Sequence, residues 1–165
     1  MQTKITGRVW KYGDDVNTDV IFPGKYTYSI TDRGEMASHA LEDLDADFAR
    51  NVQPGDIIVA GRNWGCGSSR EQAVICLKEG GVGAIVARSF ARIYFRNAIN
   101  EALPIATCDA VDTVESGDEI TIDFANGVVS TPGGEHHFPP LPAEVMEIIE
   151  AGGLVEYVRK QLGVT

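Results

Sequence analysis

Gly65-Cys66-Gly67-Ser68-Ser69-Arg70-Glu71-Gln72-Ala73 follows the short apolar run Asp56-Ile57-Ile58-Val59-Ala60-Gly61 and opens a helical pattern that reaches Lys78-Glu79-Gly80-Gly81. A strand, a glycine-rich turn and a helix start therefore meet around two hydroxyls and a guanidinium. Ser68 has Glu71 three residues on and Ser69 has Gln72, so either serine is placed to cap the helix. A helix start leaves backbone N–H groups unpaired and carries the positive end of the dipole, which favours anions. The planar guanidinium of Arg70 adds a two-pronged grip suited to a carboxylate. The spacing matches neither a phosphate loop, which needs G-x-x-x-x-G-K-[ST], nor the G-x-S-x-G elbow of hydrolases. On residue chemistry alone the stretch is an anion-binding turn, with an ordinary strand-to-helix connection and a catalytic site both left open.

Upstream, Thr6 to Tyr12 alternates as a strand and ends at Gly13-Asp14-Asp15, followed by the polar turn and apolar clip Asn17-Thr18-Asp19-Val20-Ile21-Phe22-Pro23-Gly24. A polar loop and a short helix over Glu35 to Leu44 are expected next. Asp56 to Ala60 reads as a buried strand, Arg70 to Lys78 as a helix and Gly83 to Ala87 as a second apolar strand, an order that implies a right-handed parallel crossover. Ser89 is placed to cap a helix over Phe90 to Glu101, which stops before Pro104. The aromatics Phe90, Tyr94 and Phe95 of that helix suit packing. Ile120 to Phe124 alternates strongly, and Asn126-Gly127 before Val128-Val129 signals a hairpin. His136-His137 fall in a Gly/Pro-rich loop, and Pro142 to Ala151 and Leu154 to Leu162 read as closing helices broken at Gly152-Gly153. The expectation is one α/β domain over residues 1–165 with mixed strand directions.

The 165 residues are 44% hydrophobic and 23% charged, enough for a real core, and the formal net charge of −10 argues against a nucleic-acid or anionic-membrane surface. Acidic residues are dispersed, whereas arginines concentrate between Arg62 and Arg96, around the serine turn. That basic island suits a small anionic substrate. No signal peptide and no membrane-length apolar run stand out. Cys66, Cys76 and Cys108 are odd in number and lack C-x-x-C spacing, so neither a disulfide framework nor a metal site of this chain is expected, and a reducing cytoplasm is the natural setting.

Three motifs occur in order: Asn17-Thr18-Asp19-Val20-Ile21, then Gly65 to Glu71, then Ser89-Phe90-Ala91-Arg92-Ile93-Tyr94-Phe95-Arg96-Asn97-Ala98. Together they resemble the small subunits of the 3-isopropylmalate dehydratases, the separate counterparts of the swivelling C-terminal domain of aconitase. The resemblance covers nearly the whole chain and is weakest after about Asp123. It implies a swivelling β/β/α domain with a mixed sheet, and a hydro-lyase active only with a large partner subunit. That partner would hold a 4Fe-4S cluster, which explains why no cysteine cluster is found here.

By the family pattern, Ser68 is the base and Arg70 binds a substrate carboxylate. Ser69 adds a hydrogen bond, and Asp19 organises the neighbouring groups. Cys66 packs beside the site, while Arg92 and Arg96 serve helix packing or the partner interface. The loop after the first motif reads the substrate's far group. Tyr28 and Ile30 there suit an apolar alkylmalate, with dimethylmalate-type, citraconate-type and homoaconitase-type substrates left open. The alternative of another class is an anion-binding module without catalysis.

Overall fold

Residues 3–163 are described by the structure, a computed structural model. Seven strands form one sheet: β1 (Lys4–Lys11), β2 (Ile57–Ala60), β3 (Ala84–Ala87), β4 (Ile105–Thr107), β5 (Glu119–Asp123), β6 (Val128–Thr131) and β7 (Gly134–His137). Their spatial order is β4-β3-β2-β1-β5-β6-β7. Strands β1 to β4 are parallel, and β5, β6 and β7 join β1 in an antiparallel meander.

β1 serves both halves: Lys4 to Arg8 pair with β5, while Val9 to Lys11 pair with β2. At the change-over a Cβ on Gly7 would lie 2.0 Å from the Gly55 carbonyl oxygen, so only glycine lets the two backbones approach.

Ile57, Ile58, Val59 and Ala60 are all buried, as are Ala84 to Ala87, because the parallel half is covered on both faces. Alternate side chains then feed two cores. Of the helices α1 (Thr18–Ile21), α2 (Arg33–Ala37), α3 (Phe48–Asn51), α4 (Gln72–Glu79) and α5 (Arg92–Asn100), the last two pack with Ile58, Ala60, Ile85 and Ala87, together with Ile21 and Phe22. Ile57, Val59, Ala84 and Val86 pack with Ile120, Ile122, Phe124, Val129 and Phe138, so the antiparallel half curls over the opposite face.

Three expectations are corrected. The helix foreseen over Glu35 to Leu44 is confined to Arg33–Ala37. Leu41 adopts φ +57 and its N–H reaches Ile21 O at 2.8 Å, so the chain turns back to the core instead of continuing the helix. His136 and His137 lie in β7, opposite Val129 and Val128, because Pro132-Gly133 makes a hairpin turn and not the start of a long loop.

Neither Ser68, Ser69 nor Ser89 caps a helix. α4 begins after Glu71 and α5 after Ala91, both without a side-chain cap bond. The hairpin at Gly127 (φ +68) and the closing helices Ala143–Ala151 and Leu154–Leu162 fall where the sequence places them. Among the described residues no helix is long and apolar enough to cross a membrane.

Candidate active site

The parallel ladder does not stop where β1, β2 and β3 end, and this is what assembles the site. Asp15 N–H donates to Arg62 O (2.8 Å), Gly65 N–H to Val16 O (2.8 Å) and Thr18 N–H to Cys66 O (2.8 Å). On the other side Trp64 N–H donates to Ser89 O (3.1 Å) and Ala91 N–H to Trp64 O (2.9 Å). Asn63 N–H donates to the Ser89 hydroxyl at 2.8 Å, which is why that serine is taken by the loop and does not cap α5. The three motifs are thereby laid side by side beyond the carboxyl ends of the strands, the usual place for a ligand in an open α/β sheet.

Gly65 takes φ +82 and Gly67 φ +95, and a Cβ on Gly65 would stand 2.2 Å from the buried Tyr94 ring. Tyr94 is locked from behind by its hydroxyl, which donates to Ala73 O at 2.9 Å.

Ser68 is exposed, and its carbonyl accepts from the hydroxyl of buried Thr18 at 2.8 Å. Because this bond fixes the Ser68 peptide in the loop, the first helical N–H groups go to Arg70 O and Glu71 O. The backbone N–H groups from Gly67 to Glu71 make no hydrogen bond among the described residues, so the turn that carries the serine keeps its donors unspent. Ser69 is likewise exposed.

Arg70 is only 9% exposed and is gripped by the chain. Nη1 donates to Asp19 Oδ1 (2.9 Å), Phe22 O (2.7 Å) and Thr18 O (3.3 Å), and Nη2 donates to Thr27 Oγ1 at 2.8 Å. Its carbon lies 5.5 Å from the Phe22 ring centroid, and Nε is buried with no partner among the described residues. Asp19 stands in the first turn of the helix Thr18–Ile21, whose N-cap Asn17 accepts from Val20 N–H at 2.9 Å. Thr18 and Thr27 carry the site as much as the expected residues do, although sequence reasoning passed over their roles. Thr18 could have been noticed as the centre of the first motif; Thr27 sits in a loop with no local signal.

Two clefts meet at Ser69 and Arg70. One, of about 170 Å³, is lined by Thr18, Gly67, Ser68, Arg92, Tyr94 and Asn97 among others, and no acidic residue lines it. The second, of about 510 Å³, is lined by Ile30, Met36 and Ile75 together with Thr27 and Gln72. Ile30 is buried and lines this second cleft. Tyr28 is not: it is 96% exposed and lines neither cleft.

Among the described residues no group of three His, Cys, Asp or Glu side chains is placed to hold a metal. Cys66 is half-buried, while Cys76 and Cys108 are buried. Burial pushes the Cys76 thiol well up and raises Cys108 to about 11, so both are neutral thiols near pH 7.

Residues 18–109, which hold nearly all of the three motifs, match the family model of the aconitase C-terminal domain. The chain is 51% identical over 158 residues to 3-isopropylmalate dehydratase small subunit 1 of Thermotoga maritima, covering 94% of this chain and 95% of that one. It is 48% identical over 159 residues to 3-isopropylmalate dehydratase small subunit 2 of Archaeoglobus fulgidus, covering 95% and 96%. The crystal structure of 3-isopropylmalate dehydratase from Methanocaldococcus jannaschii is similar with a TM-score of 0.91 at 43% identity, over 96% of this chain and 95% of that one.

Proposed function

Because the chain belongs to the aconitase C-terminal domain family, among the small subunits of 3-isopropylmalate dehydratase, we propose that Ser68 is the base of its reaction and Arg70 the anchor of a substrate carboxylate. The chain is the small subunit of a hydro-lyase that interconverts 2-isopropylmalate and 3-isopropylmalate in leucine biosynthesis. The observation that supports the site most is the acid-free cleft at Ser68, found in a chain whose net charge is −10. A dianionic substrate is repelled by most of this surface and accepted there.

A large subunit completes the enzyme. The 4Fe-4S cluster that family membership implies is assigned to it, since no donor set among the described residues fits one, and when bound there it would supply Lewis-acid help to a departing hydroxyl. This chain's own part is proton transfer and orientation. Ser68, as its alkoxide, removes the proton from the carbon next to a carboxylate. The electron pair of that C–H bond forms the double bond of a cis-alkene as the hydroxyl leaves the neighbouring carbon. Rehydration in the other orientation gives the isomer.

A serine is a weak base unless its oxyanion is held, and the free N–H groups from Gly67 to Glu71 are the oriented dipoles suited to that. Ser69 adds a hydrogen bond to the same carboxylate or to the oxyanion. Asp19 keeps the guanidinium of Arg70 in place, 2.9 Å away. The isopropyl group is assigned to the second cleft, against Ile30, Met36 and Ile75. A methylene in such a pocket is worth about 1–3 kcal/mol, so smaller alkylmalates are slower substrates, not excluded ones.

Anaerobic co-expression with the large subunit, followed by the absorbance of the alkene, tests this reading. The expected result is turnover of 3-isopropylmalate in preference to homoisocitrate and citraconate-derived malates. Ser68→Ala in the assembled enzyme is expected to lose roughly 10²–10⁴-fold in kcat. Near-normal turnover by that variant rejects Ser68 as the base, and activity confined to another malate moves the specificity.

A further inference from the structure

Two parts of the proposed site hang on one short turn. The Thr27 hydroxyl has a single proton, which goes to Gly24 O at 2.8 Å, so its oxygen is left to accept from Arg70 Nη2 at 2.8 Å. One residue earlier, Tyr26 O accepts from Ile30 N–H at 3.1 Å and seats Ile30 in the wall of the second cleft. Tyr26 therefore links the guanidinium that is to hold a carboxylate with the apolar wall that is to hold the alkyl group. Its own backbone is a lone 3-10 turn, Gly24–Tyr26. Such a turn has little stability by itself, so other contacts must fix Tyr26.

The half-buried Tyr26 ring lies on the His39 ring, with centroids 4.2 Å apart, and beside Phe22 at 6.1 Å. His39 Nδ1 is 2.9 Å from Glu42 Oε2. Lys25 Nζ stands 3.9 Å from Glu42 Oε1 and 5.1 Å from the centre of the Tyr26 ring. The Glu42 carboxylate also raises the Tyr26 phenol, so the four side chains form one cluster. Its far side is anchored in the core. Leu41, between His39 and Glu42, is buried, takes φ +57 and donates its N–H to Ile21 O at 2.8 Å. A bulky residue in the left-handed region is strained, and such strain persists only where surrounding contacts hold it. Thr27, Ile30 and Met36, which line the second cleft, all belong to the segment that the Tyr26–His39 contact closes. Arg33 ties the middle of that segment to Glu79 and Glu101, but through part-exposed ion pairs of small worth.

We infer that Tyr26, His39 and Glu42 are positioning residues. They form a clasp that closes residues 26–39 into a loop and so fixes both the Thr27 oxygen on Arg70 and the Ile30 wall. The inference rests on the reading of Arg70 and the second cleft above, and none of the three residues needs to touch substrate. Ser68 is held by different bonds, to Thr18 and the strand-end ladder. Loosening the clasp therefore costs binding and alkyl selectivity before it costs the chemical step.

The test uses the assembled two-subunit enzyme carrying Tyr26→Ala, Tyr26→Phe, His39→Ala or Thr27→Val, with Ser68→Ala as control. Loss of the aromatic pair is expected to raise KM for 3-isopropylmalate roughly 2- to 12-fold in both alanine variants, with kcat within about twofold. KM for 3-methylmalate, which carries methyl in place of isopropyl, should rise less. Tyr26→Phe keeps the ring and should restore KM to within about twofold of the parent. Tyr26→Ala should cost less in the Thr27→Val background than alone, because both act on the same Arg70 contact. His39→Ala removes only a half-buried side chain, so it reads the same quantities if Tyr26→Ala does not assemble. Unchanged KM and substrate preference in the alanine variants, while Ser68→Ala is inactive, overturns the inference and leaves the proposed function standing. Full additivity with Thr27→Val overturns it too, as does a loss confined to thermal stability or subunit affinity. Activity in Ser68→Ala strikes the underlying reading, and the clasp with it.

Discussion

Gly65 shows how little freedom the site has. Its φ of +82 lies in the left-handed region, and a methyl group there would enter the Tyr94 ring at 2.2 Å. Tyr94 cannot step aside, because its hydroxyl is bonded to Ala73 O in the core. Gly65→Ala is therefore expected to destabilise the fold by about 2–4 kcal/mol, combining backbone strain with overpacking. Urea unfolding with an unchanged m-value would verify it, and a loss below about 0.5 kcal/mol would mean that the turn relaxes freely. A residue that carries no chemistry thus limits where Ser68, three positions later, can stand.

Between residues and fold, the loops after the first three strands behave as continuations of those strands. Thr18 joins two of them: its N–H bonds Cys66 O and its hydroxyl bonds Ser68 O, both at 2.8 Å. Thr18→Val keeps the shape of this buried side chain and removes only the hydroxyl. The expected cost is about 1 kcal/mol of stability, together with a larger fractional loss in kcat of the assembled enzyme. Thermal unfolding and steady-state kinetics on the same preparation separate the two, and an undiminished kcat would show that the Ser68 peptide needs no such tether. Elsewhere, buried Asp56 at the foot of β2 accepts from Arg8 (3.1 Å), Trp10 Nε1 (2.9 Å) and Gln53 N–H (2.9 Å). That network ties β1 to β2 at the end of the sheet away from the serine turn.

The molecule as a whole divides its labour across the sheet. The core that includes Trp64, Ala73 and Tyr94 lies under the serine turn, while Phe124 and Phe138 pack edge-to-face at 6.0 Å in the core on the opposite face. Phe124→Ala is expected to cost about 3–5 kcal/mol of stability. At a temperature where the variant is still folded, the assembled enzyme should keep kcat within about twofold, since distant sites act independently. A parallel collapse of kcat would show that the two faces are coupled.

Much of this protein could be read from local pattern. The buried strands at Ile57 and Ala84, the crossover between them, the hairpin at Asn126-Gly127 and the helix break at Gly152-Gly153 all follow from periodicity and turn chemistry between near neighbours. The three motifs carried the resemblance that pointed to the family, whereas their residue chemistry alone left an ordinary strand-to-helix turn and a catalytic site both open. What local pattern could not show was which partner each polar group would choose.

Ser68 and Ser89 were placed to cap helices, yet the backbone ladder between loops far apart in sequence claimed the Ser68 peptide and the Ser89 hydroxyl first. Arg70 looked free to bind a carboxylate, but acceptors at positions 18, 19, 22 and 27 hold most of its donors. Tyr28 and Arg92 changed places in the same way, one left in solvent and the other brought to the cleft. Short-range steric and hydrophobic preferences are written in adjacent residues, whereas competition for hydrogen bonds is decided only when distant segments meet.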